Sequence, residues 1–230
     1  MILLGFGAVV WLTGCRSAEQ FEEALEPLAL TEAEARAELA AWREKEPPEL
    51  RLRWRGVMEL DGYRLPMLLV GKRSNREGTM ELAVLTPLGV KMYELAGRDF
   101  GMVERYELSA FLRHLNADET AGTLYRDCEA LFGGNHPEVP RSAVLRMEPE
   151  YVALTLPDRR GCAVDYYFAG RPLRLVRKTS RDFRGRRWQA DYPSGAWRAD
   201  RAGYWHTELC RYRNFRIGYR QELRREGEQE

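Results

Sequence analysis

Leu50-Arg51-Leu52-Arg53-Trp54-Arg55-Gly56-Val57-Met58-Glu59-Leu60 alternates with a period of two. Leu50, Leu52, Trp54, Met58 and Leu60 point one way, and Arg51, Arg53, Arg55 and Glu59 the other. That is the pattern of a strand with one dry and one wet face. Asp61-Gly62 is a hairpin turn signal, and Tyr63 to Val70 reads as the more apolar return strand. A polar turn follows over Asn75 to Gly78, after which Met80, Leu82, Val84 and Thr86 alternate again. Beyond the Pro87-Leu88-Gly89 bend, Val90 and Met92 alternate with Lys91 and Tyr93. An antiparallel sheet of this kind needs a cover for its apolar face. Whether that cover is protein, lipid or each by turns is the question of function.

Around this stretch lies a near-neutral chain of 230 residues with a formal charge of +1. The length suits one domain with a sizeable core, and the charge gives no reason to expect nucleic acid. The first residues stand apart. Ile2 to Leu12 is apolar and uncharged, too short to span a bilayer but suited to a signal-peptide core over residues 1–14. It runs into Leu12-Thr13-Gly14-Cys15, which resembles the lipobox of bacterial lipoproteins. The resemblance implies cleavage before Cys15, lipidation of its sulfur and a stable membrane anchor. Arg16, where Asp would commonly retain such a protein in the inner membrane, implies the periplasmic face of the outer membrane. No Lys or Arg precedes Cys15, a departure from signal peptides that leaves the start of the chain open.

With Cys15 lipidated, Cys128, Cys162 and Cys210 remain. An oxidising compartment allows one disulfide and one free thiol. Cys128 lies on the apolar stripe of a helix, and Cys162 alternates with Val164, Tyr166 and Phe168. A helix across the sheet would bring Cys128 and Cys162 together, the pairing expected here, with Cys210 free. No Cys/His spacing suggests a metal, and no cofactor is expected. His114, His136 and His206 read as isolated surface or loop histidines.

Ser17 to Glu46 is acidic and helical in pattern, with Phe21, Leu25 and Leu28 on one face. Thr31-x-x-Glu34 is a capping box that restarts the helix, and Pro47-Pro48 ends it. Residues 15–49 are therefore expected to be the lipidated N-terminus, a tether and an N-terminal helix. Five of the seven methionines, Met58, Met67, Met80, Met92 and Met102, fall in the strand region that follows. Such residues fill ordinary cores and also suit a deformable cavity. Asn116-Ala117-Asp118-Glu119 opens a mid-chain helix with Ala121, Leu124, Tyr125, Cys128, Leu131 and Phe132 on one stripe, closed by Gly133-Gly134. Strands resume from Tyr151 to Leu223, ending in a hairpin of Trp205–Tyr212 with Phe215–Leu223. Residues 50–223 form the expected domain and 224–230 a charged tail. From Arg171 to Arg220 there are fourteen Lys and Arg against four Asp and Glu. A solvated sheet face and attraction to anionic lipid, with Trp188, Tyr192, Trp197, Tyr204 and Trp205 at the interface, both account for this.

The lipobox at Cys15, the N-terminal helix and Leu85-Thr86-Pro87-Leu88-Gly89 before Met92-Tyr93-Glu94-Leu95 together resemble the LolA/LolB superfamily of periplasmic lipoprotein carriers. The mid-chain helix and the late Trp188-Gln189-Ala190-Asp191-Tyr192 strand match as well. Arg55-Gly56-Val57-Met58-Glu59-Leu60-Asp61-Gly62 and Gly203-Tyr204-Trp205 are similar to uncharacterised LolB-like lipoproteins, some encoded beside aryl-polyene genes. The resemblance implies a mainly β fold: a half-open antiparallel β-barrel, its concave face covered by an N-terminal and a mid-chain helix. It implies a lipid-anchored, periplasm-facing protein that binds an acyl chain, lipid, lipoprotein or polyene ester for transfer at the outer membrane. Periplasmic carrier or envelope transport proteins would be its partners. The family's apolar protruding loop falls positionally on Gly71 to Gly78, yet Lys72, Arg73, Asn75 and Arg76 make it polar.

Inward-facing positions give the expected hydrophobic cavity: Trp54, Met58, Leu60, Leu82, Val84, Met92, Leu124 and Cys128. A carrier needs no general acid or base. Ser109, Ser142, Ser180 and Ser194 have no nucleophile elbow around them, and no enzyme is expected. The alternative is an envelope scaffold or assembly lipoprotein whose interior is filled by its own side chains.

Overall fold

The computed structural model describes residues 20–60, 62–98, 102–113, 116–157 and 162–226. The expected signal peptide, Cys15 and His114 lie outside the described residues.

Helix α1 (Glu32–Arg43) precedes a meander of β1 (Glu49–Leu60), β2 (Tyr63–Ser74), β3 (Thr79–Leu85), β4 (Lys91–Arg98) and β5 (Met102–Leu108). A single turn, α2 (Ala110–Arg113), leads to the long helix α3 (Ala117–Phe132). A second meander follows: β6 (Leu145–Met147), β7 (Val152–Pro157), β8 (Ala163–Ala169), β9 (Arg174–Asp182) and β10 (Gly185–Asp191). A small separate hairpin, β11 (Trp197–Ala199) with β12 (Trp205–Thr207), comes before the last pair, β13 (Leu209–Asn214) and β14 (Tyr219–Arg225). Trp205–Tyr212 is thus two strands broken at Glu208, not one.

Twelve strands make one antiparallel sheet in the order β5-β4-β3-β2-β1-β14-β13-β10-β9-β8-β7-β6. Its two edges, β5 and β6, do not pair, so the barrel stays open. The two meanders are separate halves, and the C-terminal hairpin joins them, with β14 paired to β1 and β13 to β10. Gly56 permits the close seam: a Cβ there would come within 2.2 Å of the Glu222 carbonyl and 2.6 Å of Leu223. The turns after β1, β3, β9 and β13 share one end of the sheet, here the Gly62 end, and that after β2 lies at the other.

The N-terminal segment departs from its helical pattern. Residues 20–30 form no helix but an extended strap on the convex face of the second half. Phe21 and Leu25 pack there against Tyr151, Ala153, Tyr167, Ala169 and Val176. Arg177 fixes the strap, donating from Nη1 to the Gln20 carbonyl at 2.8 Å, with its guanidinium 4.5 Å from the Phe21 ring centroid. Phe21 and Leu25 do share a partner, but Pro27 leaves no backbone N–H for a helix here. The helix starts only at its capping box, where Glu34 N–H donates to Thr31 Oγ1 and Thr31 N–H donates to Glu34 Oε2. Trp42 of α1 buries against the β11–β12 hairpin, its ring 4.8 Å from that of Trp197 edge-on and 6.4 Å from that of Trp205, at the end of the sheet opposite Gly62.

Candidate functional site

The concave face beneath α3 is where the sequence placed a cavity. Trp54, Met58, Leu82, Val84 and Cys128 are buried in the core cluster there, whereas Leu60, Met92 and Leu124 are half-buried against it. Met92 falls at a register shift in which Val84 pairs with Tyr93 and Leu85 with Lys91. This bulge places Tyr93 and Leu95 inward, one step out of the expected alternation.

Under the middle of α3 the space is filled by side chains that strand periodicity did not single out, while at its C-terminal end an open groove of about 460 Å³ runs between Glu129, Ala130 and Gly133 and the half-buried Tyr166 and Trp188. Tyr93, Tyr125, Tyr192, Tyr212 and Tyr219 are all at most 2 % exposed. A void lined by Trp54, Phe132, His136, Trp197 and neighbours holds only about 30 Å³, an order of magnitude below usual ligand pockets of roughly 300 Å³ and more.

Polar groups fasten α3 to the centre and second half of the sheet. Asp127 accepts hydrogen bonds from the hydroxyls of Tyr212 and Tyr219 and from Asn214 Nδ2, the last at 3.2 Å. Burial raises the Asp127 carboxyl above its ordinary range, against the pull of these donors. At the C-terminus of α3, Lys178 Nζ donates to the Gly133 carbonyl at 2.7 Å and to Asn135 Oδ1 at 2.6 Å. The Tyr192 hydroxyl donates to the Leu131 carbonyl at 2.8 Å. A cation and a hydroxyl on the last carbonyls satisfy groups that every helix end leaves open. Burial lowers the Lys178 ammonium to about 7, with Arg73 contributing. The basic run hid this residue: Arg177 and Lys178 look like solvated charges, yet both are 2 % exposed. Arg177 pairs with Asp191 at 2.5 Å on the convex side.

Three further expectations change. His136 is no surface residue: it is 3 % exposed, stacks on Trp42 at 4.5 Å, and burial lowers its pKa to about 3. His206 is buried beside Asp200, with Nε2 to Oδ2 at 2.8 Å. Tyr192 and Trp197 are core residues, so that part of the aromatic set does not face an interface. Cys128, Cys162 and Cys210 are free thiols. The expected partners do not meet: Cys162 Sγ accepts from Arg187 at 3.0 Å, and Cys128 lies beside Tyr93 and within electrostatic reach of Cys210. The reason is placement, since α3 crosses toward β4, β5 and β13 and Cys162 sits at the start of β8.

The polar Gly71–Gly78 segment is mostly β2 and its turn, at the end opposite Gly62. The apolar turn lies elsewhere: Leu88, in the Pro87-Leu88-Gly89 bend, is 91 % exposed, with Val90 at 62 % and Tyr63 at 73 % on the same end.

No protein-family model matches the sequence, and no curated protein matches it. Among solved structures, a DUF1329 family protein from Desulfovibrio piger aligns at a TM-score of 0.51 with 10 % identity, covering 83 % of this chain and 89 % of that one. This likeness shows the fold, an open antiparallel half-barrel with helices. A putative outer membrane lipoprotein-sorting protein domain from Vibrio parahaemolyticus aligns at 0.49, with 10 % identity over 81 % of this chain and 88 % of its own. A LolA superfamily protein from Nitrosomonas europaea aligns at 0.45, with 10 % identity over 83 % and 90 %. In this half-barrel the open edges are β5 and β6, and α3 lies across the concave face. Among the described residues no helix is long and apolar enough to cross a membrane.

Proposed function

We propose that the protein binds a hydrophobic chain of the acyl or lipid class between α3 and the first meander, β1–β5, and that the described structure is its closed form. One observation carries this reading. α3 is fastened by Asp127 to β13 and β14 and, at its C-terminal end, by Lys178 of β9 and by Tyr192 just after β10. On the first meander its buried side chains instead share one apolar core with Trp54, Met67, Met80, Leu82 and Val84, and the hydrogen bond there, from the Tyr106 hydroxyl to Asp118 at 2.6 Å, is exposed. Apolar contacts on flexible methionines repack around a guest at little cost, and a directional polar network does not. A guest entering from the Gly62 end would lift α3 from the first half while its polar side holds. Each Å² of apolar surface taken from water contributes roughly 25 cal/mol, so a chain can be taken up and handed on without any chemistry.

We place such a protein in the bacterial envelope, anchored by lipid on Cys15 to the periplasmic face of the outer membrane, and assign it no catalytic step. A second reading has its own observation: the void beside Trp54, Phe132 and Trp197 holds only about 30 Å³, as suits a scaffold.

Brominated fatty acids separate the two. They quench tryptophan on contact, and among the described tryptophans Trp54 stands in the first half. Saturable quenching that disappears in Trp54→Phe is expected for the carrier. Absence of saturable quenching in the folded wild type would leave the scaffold.

A further inference from the structure

Two adjacent turns at the Gly62 end carry exposed apolar side chains, each accompanied by arginine. β10 and β13 are neighbours, and the Phe215 N–H donates to the Arg187 carbonyl at 2.9 Å, so the β9–β10 and β13–β14 turns sit side by side. The first presents Phe183, 90 % exposed, and the second presents Phe215 and Ile217, 40 % and 48 % exposed. Gly185 and Gly218, at φ 106° and 76°, set the tight turns that hold these side chains outward.

The Arg184 guanidinium lies 5.1 Å from the Phe183 ring centroid, and those of Arg186 and Arg213 lie 5.8 and 5.7 Å from that of Phe215. Residues 182–187 and 213–218 hold five arginines and one acid, Asp182, a formal charge of +4. Asp182 is itself engaged by Arg216 at 2.5 Å. None of these side chains supports the core.

We propose that these two turns dock the protein on an anionic phospholipid surface. Phe183, Phe215 and Ile217 enter the interface, and the arginines around them hold lipid phosphates. A ring that leaves water beside a guanidinium keeps its cation, and the guanidinium gains a bidentate phosphate partner. Basic residues beside apolar ones are the composition of interfacial binding. A second copy of the same patch would bring +4 against +4, which argues against self-association here. The proposal does not rest on a ligand under α3 or on lipidation of Cys15, because it concerns only the β9–β10 and β13–β14 turns at the Gly62 end.

The test uses the full chain with Cys15→Ser and Cys162→Ser, leaving only buried thiols. An environment-sensitive fluorophore is placed at Ile217→Cys, or at Arg76→Cys on the opposite end. Phosphatidylcholine vesicles with phosphatidylglycerol should shift the Ile217 label to the blue and expose it to a lipid-borne quencher, with no such change at position 76. Each arginine near a membrane counts for roughly fivefold in binding. Arg184→Glu with Arg213→Glu should therefore weaken the response by more than about tenfold. Equal responses at both positions, an equal response to pure phosphatidylcholine, or none at position 217 would overturn the proposal. So would a concentration-dependent shift without lipid, which would mean self-association, or a shift given by an acidic protein and by no vesicle.

Discussion

The first meander, β1–β5, and the second, β6–β10, are built alike and kept dry differently. On the first, one face is wet: Glu59 pairs with Arg64 at 3.0 Å, Lys72 with Glu81 at 3.3 Å and Lys91 with Glu107 at 2.8 Å, each pair with at least one exposed partner. Such pairs contribute little to stability. The dry face is aliphatic and rich in methionine. The second meander is covered on both sides, by α3 and α1 inside and by the strap outside, so β9 buries six residues in a row from Leu175 to Ser180. Two buried charges have partners there: Lys178 grips the end of α3 and Arg177 the strap. One half can yield under α3 while the other fixes where the helix sits.

The sharpest way to break this contrast is at Asp127. Asp127→Ala would strand two buried tyrosine hydroxyls and Asn214, and truncating one member of a buried polar network costs about 3–5 kcal/mol. Asp127→Asn keeps a side chain of the same shape and should cost much less. Urea unfolding measures both. Equal, small losses would mean that α3 is not held from the central strands.

Lys178 sharpens the same side through pH. Its folded value, lowered from 10.5 to about 7, means that between these values the unfolded chain keeps a proton the folded chain has lost. Stability from this group therefore rises with pH from 7 to 10.5 and is flat below 7. The shift corresponds to a few kcal/mol at about 1.4 kcal/mol per pH unit. In Lys178→Met that rise should vanish, read as the difference between the two unfolding curves at pH 7 and pH 9.

The same contrast explains what sequence reading reached. β1–β3 have one wet face, so alternation placed Trp54, Leu82 and Val84 inward, where they are buried, and the Thr31 capping box and the Asn116 N-cap marked the two long helices. Where both faces are covered, alternation carries no signal. Arg177 and Lys178 look like one solvated pair, yet they point to opposite buried faces, and a register shift between Tyr167 and Phe168 sets the pattern off further. Asp127 lies beside the apolar stripe of α3, and only its partners on β13 and β14, more than eighty residues away, give it meaning. The strap kept its apolar spacing while its backbone took another form, since spacing reports partners rather than conformation.

On the first half the corresponding test is Met80, fully buried on β3. Met80→Ala should cost about 2–4 kcal/mol through the cavity it leaves, whereas Met80→Leu should cost under about 1.5 kcal/mol. If the methionine face is plastic, the leucine variant folds but binds acyl probes more weakly. Unchanged probe binding in Met80→Leu would show that plasticity on this face is not what the protein uses.

The smallest effect is expected at the strap. Phe21 is half-buried, so Phe21→Ala removes only part of a side chain from contact with Tyr151 and Tyr167, whose centroids lie 5.3 and 5.8 Å from its ring. It also removes the face over which Arg177 lies. Together these are worth about 1–2 kcal/mol, an aromatic contact and a partly desolvated cation–π pair. The consequence is local, because Arg177 keeps Asp191 and the strap keeps Leu28, whose N–H donates to the Pro149 carbonyl at 2.6 Å. Limited proteolysis should therefore cut near residues 20–25 sooner in Phe21→Ala, with the urea midpoint of the sheet shifted only slightly. If the whole domain lost stability by as much as Asp127→Ala, the strap would be part of the second half's core rather than a cover laid upon it.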